Sequence, residues 1–323
     1  MRLLITGGFG FIGSSFVRLA YSSGHDISII DKITYAADPL NIPREIIDKS
    51  TIAHFDLTNN ELLTNFLKQL EPFDYIVNFA AESHVDRSIQ DGLPFVQSNI
   101  VSVVNLLEFL KNHPQTRLLQ ISTDEVYGSI DSGSWTEDSP LMPRSAYASS
   151  KASAEFFCNS YKLTHGLQIS ISRCANNFGP RQSAEKLIPT VIRSAIENKK
   201  VPVYGSGLNR REWIFVDNHT EALLKLIESK SPRHTVYNLG GLEYTNIDLV
   251  VLILKIMNKP LSLIEYVQDR KGHDMRYSVN DSRFISEFGK IGIKDFETAL
   301  EGTVNWYLNN LEWLHRSTER LHR

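Results

Sequence analysis

The stretch LLITGGFGFIGSSFVRLA, Leu3 to Ala20, decides the fold. It begins as an apolar strand and ends as an amphipathic helix, with Gly7, Gly10 and Gly13 between the two. Glycines in this setting allow a tight turn and a close approach of the backbone to a pyrophosphate, which the helix N-terminus then binds. The stretch therefore predicts a dinucleotide-binding unit, with a merely flexible glycine loop as the alternative.

The next apolar run ends in SIIDKITY and places Asp31 about 20 residues beyond the glycines. A carboxylate there accepts hydrogen bonds from ribose hydroxyls and repels a 2′-phosphate, which favours NAD over NADP. Lys32 weakens this distinction, because a neighbouring cation could tolerate a phosphate. Asp56, after the third apolar run, is interpreted either as an adenine contact or as a plain strand-end cap.

Short apolar runs alternate with amphipathic segments through the first two-thirds of the chain. The runs that read as buried strands are RLLIT, DISIID, STIAHFD, DYIVNFA, RLLQIST and LQISISR. Such strands joined by helices predict an α/β fold with a doubly wound Rossmann-type parallel sheet. Loops rich in Gly, Pro and Asn after Arg173 predict a smaller interleaved C-terminal α/β lobe. We expect residues 1–175 plus about 213–240 to bind NAD, and about 176–212 plus 241–323 to bind substrate.

Composition argues against several classes of partner. The 323 residues are 42% hydrophobic and 22% charged with a formal charge of −3, so no global positive field attracts nucleic acid or an anionic membrane. Cys158 and Cys174 are expected to be reduced core thiols, and no metal cluster is expected. The N-terminal MRLLITGG lacks a signal-peptide segment, and LVVLILKIM (249–257) is too short for a membrane span. We therefore expect a cytoplasmic protein.

Two further motifs carry chemistry. Asp124 and Glu125 adjoin in ISTDEVYG, directly after a buried strand, and their like charges raise the pKa of one of them. Such a pair offers an acid and a base together, although a solvated turn can have the same sequence. Tyr147 and Lys151 in SAYASSK lie one helical turn apart, so the ammonium group can favour the phenolate. The pair can then take a proton from a hydroxyl while a hydride leaves the same carbon.

Together these motifs resemble those of the extended short-chain dehydrogenase/reductase family of nucleotide-sugar enzymes. Within that family, the chain is similar in order and spacing to the dTDP-glucose 4,6-dehydratases. The matching segments are DKITYA, AAESHVDRSI, ISTDEVYG, YASSKASAE, NNFGP, EKLIP, YNLGG and DRKGHDMRY. The resemblance covers nearly the whole chain. It implies a lyase of deoxysugar biosynthesis that converts dTDP-glucose to dTDP-4-keto-6-deoxyglucose and water with tightly bound NAD.

The resemblance also implies a role for each reactive side chain. Tyr147, assisted by Lys151, removes the O4 proton while the C4 hydride goes to NAD. Glu125 then takes the acidified C5 proton, and Asp124 protonates the departing O6 hydroxyl before the hydride returns to C6. Thr123 orients the sugar.

The binding residues are likewise implied by the resemblance. For NAD they are Gly7, Gly10, Phe11, Ile12, Gly13, Asp31, Lys32, Ile33, Thr34, Asp56, Leu57, Phe79, Ala80, Ala81, Ser98, Tyr147, Lys151 and Asn177. For the substrate they are Ser83, His84, Thr123, Asn176, Lys186, Leu187, Pro202, Tyr204, Arg211, Asn246, Arg270 and His273. Arg211 and Arg270 are expected to clamp the diphosphate, and Tyr204 to stack on the pyrimidine. His84 fits a structural role as readily as a binding role.

Departures from the group's pattern leave the substrate open. Ser183 and Ala184 replace a bulky residue and a proline, and Glu212 replaces an aspartate. A UDP-linked or other 4,6-dehydratase would keep the same motifs. A 4-epimerase or decarboxylase generally lacks the Asp–Glu pair, and a catalytically silent sensing protein is expected to lose a reactive residue. The resemblance also implies a homodimer through helices near 99–112 and 146–161, although these helices could simply cover the sheet.

Overall fold

Short runs rich in Leu and Ile form the first two strands, as their apolar sequence predicts. The structure, a computed structural model, describes residues 1–70, 72–229, 232–270, 272–290, 292 and 294–321. The strands are β1 Arg2–Thr6, β2 Asp26–Ile30, β3 Thr51–Ala53, β4 Tyr75–Asn78, β5 Arg117–Thr123, β6 Ile169–Cys174, β7 Asn176–Phe178, β8 Val201–Tyr204, β9 Arg210–Phe215, β10 Val236–Leu239, β11 Leu242–Thr245 and β12 Ile264–Val267. The helices are α1 Phe11–Ser22, α2 Arg44–Ile47, α3 Asn60–Lys68, α4 Val85–Gln90, α5 Leu93–Val96, α6 Ser102–Lys111, α7 Ala146–His165, α8 Leu187–Ile196, α9 Val216–Glu228, α10 Asn246–Ile256, α11 Ser282–Phe288, α12 Phe296–Asn309 and α13 Leu311–Arg320. A π turn at Gln97–Val101 joins α5 to α6, and a 3₁₀ turn at Asp124–Tyr127 follows β5.

Seven of the described strands form one parallel sheet in the order β10-β6-β5-β4-β1-β2-β3. Strand β1 lies between β2 and β4, with Leu4 opposite Ser28 on one side and Ile76 on the other. The strand order therefore reverses at the carboxyl end of β1. Open α/β sheets bind ligands in the crevice outside such a reversal. The glycine turn leaves the sheet at this point, and the predicted doubly wound α/β fold is confirmed.

Helices bury both faces of this sheet. Leu3 and Ile5 of β1 lie in one apolar core with Phe16 of α1 and Leu223 of α9. Leu4 faces the opposite core, which α3, α6 and α7 cover. Burying each such side chain contributes about 1.5–3 kcal/mol, which explains why most buried positions of these strands are apolar.

Two smaller sheets, ordered β11-β9-β7 and β12-β8, share a separate core with α8, α10, α12 and α13. The chain returns to the large sheet after β9: α9 packs against α1, and β10 pairs with β6. The residues from Trp213 to Phe215, which were expected in the NAD domain, pair with β7 and β11 instead. The division into two domains remains a prediction.

The helical stretch Leu93–Lys111 is long and apolar enough to cross a membrane, judged by length and composition alone. The core helix of a globular fold meets the same criterion. In this fold α6 packs on α7, and 44% of the apolar stretch is buried. The run predicted to be a core helix, Leu249 to Met257, belongs mostly to α10, whose Leu249 and Ile253 are buried.

Candidate active site

The glycine turn between β1 and α1 brings backbone into very close contact. Gly7 has a φ of +67°, and a Cβ there would lie 2.7 Å from the Ala80 nitrogen. A Cβ on Gly13 would lie 2.2 Å from the Gly7 oxygen. Gly10 caps α1 without a side-chain hydrogen bond, so the first N–H groups of the helix point outward from a bare turn. This geometry suits a pyrophosphate.

Asp31 follows β2 and is held by the backbone on both oxygens. Its Oδ2 accepts a hydrogen bond from Phe9 N at 2.9 Å, and its Oδ1 accepts one from Ile33 N at 2.7 Å. Burial raises the pKa of Asp31, although these two N–H groups oppose the shift. Ile33 has a φ of +52°, which is unusual for a β-branched residue, and it contributes its backbone to Asp31 rather than its side chain to the cavity.

Lys32 already has acceptors within the protein. Its Nζ lies 3.2 Å from Asp56 Oδ2 and 2.9 Å from Ser98 Oγ. The cation that could have tolerated a 2′-phosphate is therefore neutralised by Asp56. The arrangement favours a cofactor without a 2′-phosphate. It also shows that Asp56 pairs with Lys32, a role that neither sequence interpretation of Asp56 included.

The 3₁₀ turn after β5 carries the paired carboxylates. Thr123 caps this turn, and its Oγ1 accepts a hydrogen bond from Glu125 N at 3.3 Å. Thr123 and Glu125 line the cavity, whereas Asp124 is only 1% exposed and lies behind its wall. The Oδ2 atom of Asp124 has no hydrogen-bond partner among the described residues. A buried carboxyl oxygen without a donor favours the protonated acid.

Electrostatics separates the two carboxyl groups. Burial raises the pKa of Asp124 well above its usual range, and the carboxylates of Glu125 and Glu212 raise it further. Burial also raises the pKa of Glu125, but nearby cations oppose that shift; they belong to Arg211, Arg270 and Lys186. The site therefore favours a proton on Asp124 and a charge on Glu125.

Helix α7 carries Tyr147 and Lys151, and Ser145 caps its N-terminus. Lys151 Nζ donates to the Ile121 carbonyl at 2.6 Å, and burial lowers the pKa of Lys151 to about 8. The pKa of Tyr147 lies well above its ordinary value, because burial and the Glu125 carboxylate disfavour the phenolate. A hydrogen bond with Thr123 acts in the opposite direction. The described protein groups therefore do not lower the pKa of Tyr147, although the sequence predicted that the Lys151 ammonium would.

One cavity of about 510 Å³ is lined by all but two of the residues that the sequence singled out. The exceptions are Ile33 and Asp124, for the reasons given above. The glycine turn, Tyr147 and the predicted substrate-binding residues thus line the same cavity. Sequence reasoning missed other lining residues, and those with polar, sulfur or indole groups include Glu82, Asp86, Cys174, Gln182, Glu185 and Trp213. Glu82 lies in the segment AAESHVDRSI and Glu185 in EKLIP, so the resemblance of these segments to the family could have identified both as site residues.

His84 is held on both ring nitrogens by the protein. Its Nδ1 accepts from Arg87 N at 3.3 Å, and its Nε2 lies 3.3 Å from Glu185 Oε2. Burial lowers the pKa of His84 to about 4, and the Lys186 ammonium contributes to the shift. His84 is therefore a neutral helix cap at pH 7 that also lines the cavity.

Two arginines face the cavity from the smaller lobe. Arg211 is buried, donates to the carbonyls of Arg210 and Asp274 at 2.7 and 2.8 Å, and stacks on Tyr277. Arg270 lies 3.4 Å from Asp86. Two fixed guanidinium groups at one end of a cavity suit an anion such as a diphosphate. Among the described residues, no group of three His, Cys, Asp or Glu side chains could hold a metal ion.

The strand order of the parallel sheet reverses at β1, and the crevice at this point contains the glycine turn and the Tyr–Lys pair. Together these features define an extended short-chain dehydrogenase/reductase. The chain belongs to the GDP-mannose 4,6-dehydratase family, whose sequence profile matches residues 4–289. It is 40% identical over 321 residues to a dTDP-glucose 4,6-dehydratase of Streptomyces niveus, covering 97% of this chain and 94% of that protein. It is 37% identical over 349 residues to the Escherichia coli dTDP-glucose 4,6-dehydratase, covering 98% and 96% of the two chains.

Solved structures agree with these relatives. A double mutant of the dTDP-glucose 4,6-dehydratase DesIV from Streptomyces venezuelae, solved with NAD bound, superposes with a TM-score of 0.93 at 39% identity. The match covers 98% of this chain and 100% of DesIV. A UDP-glucose 4-epimerase of Thermus thermophilus superposes with a TM-score of 0.89 over 96% of this chain and 100% of the epimerase, but at 23% identity. The epimerase therefore shares the fold alone.

Proposed function

We propose that this protein is an NAD-dependent dehydratase that converts dTDP-glucose to dTDP-4-keto-6-deoxyglucose and water. One observation carries the reaction class: at the end of β5, Glu125 lines the same cavity as Tyr147, Lys151 and the glycine turn, and Asp124 lies directly behind its wall. Oxidation alone would need only the Tyr–Lys pair. The added acid and base fit the loss of water, and the named relatives supply the choice of dTDP-glucose.

The residues present fit NAD. Gly7 and Gly13 keep the turn tight, because a Cβ on either would clash with the backbone of Ala80 or Gly7, and Asp31 is fixed by the Phe9 N–H of the same turn, where it suits the ribose. Bound NAD accepts a hydride from sugar C4 and later returns it to C6, so the overall reaction is redox neutral. The positive charge of oxidised NAD also favours the phenolate of Tyr147, which the protein alone disfavours.

The side chains move the protons. Tyr147 accepts the proton of the O4 hydroxyl, and its hydrogen bond with Thr123 holds the phenol in place. Once C4 is a ketone, Glu125 accepts the C5 proton, and it gives a proton back to C5 when the hydride reaches C6. Asp124 donates its proton to the departing O6 hydroxyl, which leaves as water. These separate roles are supported by the pKa shifts of the two carboxyl groups, since neighbouring carboxylates add to the rise at Asp124 whereas nearby cations oppose the rise at Glu125.

The decisive experiment offers the purified protein, loaded with NAD, equal amounts of dTDP-glucose, UDP-glucose and GDP-mannose. We expect dTDP-glucose to lose one water by mass spectrometry, with the other two sugars slower or inert. A product of unchanged mass with an inverted C4 would indicate an epimerase instead. Turnover of UDP-glucose alone would support the dehydratase reaction but would show that the substrate carries uridine instead of thymidine.

The quaternary structure, location and domain division are part of the same proposal. Exposed apolar side chains on α7 and α5 support a homodimer through these helices; they are Phe156, Phe157, Leu163, Leu93 and Val96. Both cysteines are free and buried, which suits a reducing cytoplasm. The pairing of β10 with the large sheet supports a divided NAD domain that the smaller lobe interrupts.

A further inference from the structure

The C-terminal helix α13 reaches the walls of the cavity from outside, through buried side chains. It is only ten residues long, so it depends on packing for its stability. Its apolar side, including Trp313 and Leu314, lies in the core of the smaller lobe. Its polar side chains form hydrogen bonds with two separate segments that contribute residues to the cavity lining.

The first connection runs from Trp313 to the glycine turn. Trp313 Nε1 donates to Asn41 Oδ1 at 3.0 Å. Asn41 Nδ2 in turn donates to the carbonyl of Phe9, inside the glycine turn, at 3.2 Å. The N–H of Phe9 donates to Asp31 at 2.9 Å. These side chains are all nearly inaccessible to water, so each broken bond would leave a buried polar group unpaired.

The second connection starts from Arg320 in the last turn of α13. Its Nη2 lies 2.9 Å from Asp38 Oδ2, and its Nη1 donates to the carbonyl of Ala37, a cavity-lining residue, at 3.0 Å. Asp38 N donates to the same Phe9 carbonyl at 3.0 Å. Two separate paths from one helix therefore converge on the turn expected to hold the pyrophosphate.

A third connection reaches the substrate side. The N–H of Ala184 donates to Ser317 Oγ of α13 at 3.1 Å, and Ser317 is buried. The neighbours Ser183 and Glu185 line the cavity. One side of α13 therefore supports the cofactor turn and the substrate loop together.

We propose that α13 is a clasp that sets how tightly the cofactor is held, with Trp313 and Arg320 as positioning residues for the dinucleotide. This inference rests on the proposed function, since it assumes that the cavity binds NAD. A dehydratase that regenerates NAD in every turnover gains nothing from releasing it. Loosening the clasp is expected to speed NAD release by about tenfold when the hydrogen bond between Arg320 and the charged Asp38 is lost, and by about fivefold when the neutral bond between Trp313 and Asn41 is lost.

The test uses the holoenzyme and the variants R320M and W313F. The matched control is R316M, which also removes a cation from α13 but one that pairs with Glu312 inside the helix. Each protein is loaded with radiolabelled NAD and diluted into excess unlabelled NAD, and the label retained is followed with time. Melting of the NAD-free proteins reports any general loss of stability, and turnover is repeated at saturating NAD.

Faster release from R320M and W313F, wild-type release from R316M and full turnover at saturating NAD would support the clasp. Wild-type release from both variants, or equally fast release from R316M, would overturn it and leave the proposed function standing. If R320M does not fold, D38N removes the same ion pair while its remaining oxygen can still accept from Leu40 N. A wild-type protein that binds no NAD would instead overturn the proposed function.

Discussion

Two adjacent carboxyl groups at the end of β5 differ in burial, and that difference divides their chemistry. Asp124 lies behind the cavity wall with one oxygen unpartnered among the described residues, whereas Glu125 faces the cavity and nearby cations. Asp124, whose ionised form is the less stable of the two carboxylates, is thus the residue assigned as the acid.

D124N and E125Q should both slow elimination more than C4 oxidation, because each removes a proton-transfer group that acts after the ketone forms. We expect losses of about 10²–10⁴ in the elimination rate. Single-turnover NADH absorbance measures oxidation, and solvent deuterium at C5 measures the later step. D124N should still exchange the C5 proton, whereas E125Q should not. Equal loss of oxidation and elimination in both variants would contradict the separate roles.

Y147F should abolish NADH formation itself, because no phenolate can then accept the O4 proton. We expect the first hydride transfer to slow by about 10²–10⁴. The single-turnover absorbance of NADH provides the measurement. Y237F is a suitable control, since Tyr237 is a buried tyrosine whose hydroxyl bonds Glu287 away from the cavity. Rapid reduction of NAD by Y147F would refute the role of Tyr147 as the base.

The contribution of the Lys151 cation to C4 oxidation should decline as the pH rises through the pKa of Lys151. Burial lowers that pKa to about 8, so the ammonium form is present below about pH 8 and lost above it. In K151R the guanidinium stays charged, and the decline should move to higher pH even though the maximal rate is lower. Single-turnover rates across the pH range provide the check. An unchanged pH profile in K151R would show that another group titrates.

At the scale of elements, a buried ion pair connects the two halves of the reactive site. Arg173 of β6 binds both oxygens of Glu155 of α7, at 3.1 and 3.0 Å from Nε. Its Nη1 donates to Tyr127 OH at 2.6 Å. Glu155 lies one turn beyond Lys151, and Tyr127 ends the turn that carries the carboxyl pair. The pair thus fixes the distance between α7 and that turn.

Y127F should therefore disturb catalysis without leaving a buried charge unpaired. It removes the hydrogen bond that Tyr127 OH donates to Asn238 at 2.8 Å as well as the one it accepts from Arg173. We expect elimination to slow by about tenfold or more, with C4 oxidation less affected, since Tyr147 keeps its place on α7. The ratio of the two single-turnover rates is the measurement, with Y237F again as the control. An unchanged ratio would make Tyr127 purely structural.

Most strands of the large sheet could be predicted from the sequence, because a strand that is buried on both faces is a short apolar run that can be recognised without knowing its neighbours. The glycine turn needed only its own segment to be recognised. Ile33 was different: its backbone, not its side chain, serves the site, and no side-chain pattern reports a φ of +52°. The pairing of β9 with β7 and β11 could not be predicted either, because an apolar strand does not show which sheet it joins. Glu185 was missed because its contact with His84 spans about 100 residues of chain.

At the scale of the whole molecule, the cavity exists because two cores meet. The large sheet supplies the glycine turn and the reactive side chains, and the smaller lobe supplies Arg211 and Arg270. Each lobe alone leaves half of the site open to water. Enclosure matters here, because the pKa shifts of the carboxyl pair and of Lys151 all arise mainly from burial.

The face of α7 that points away from this cavity provides the last prediction, on assembly. Phe156 and Leu163 lie seven residues apart on one face of the helix and are 60% and 85% exposed, which is costly for a monomer in water. A second copy of the chain would cover them, so the wild type should be a dimer by light scattering. The variant F156E/L163E should be a monomer, because a symmetric interface would bring four carboxylates together. The control L62E places a charge at an exposed leucine on α3 and should stay dimeric. A monomeric wild type, or an unchanged dimer of the double variant, would show that this face serves another purpose.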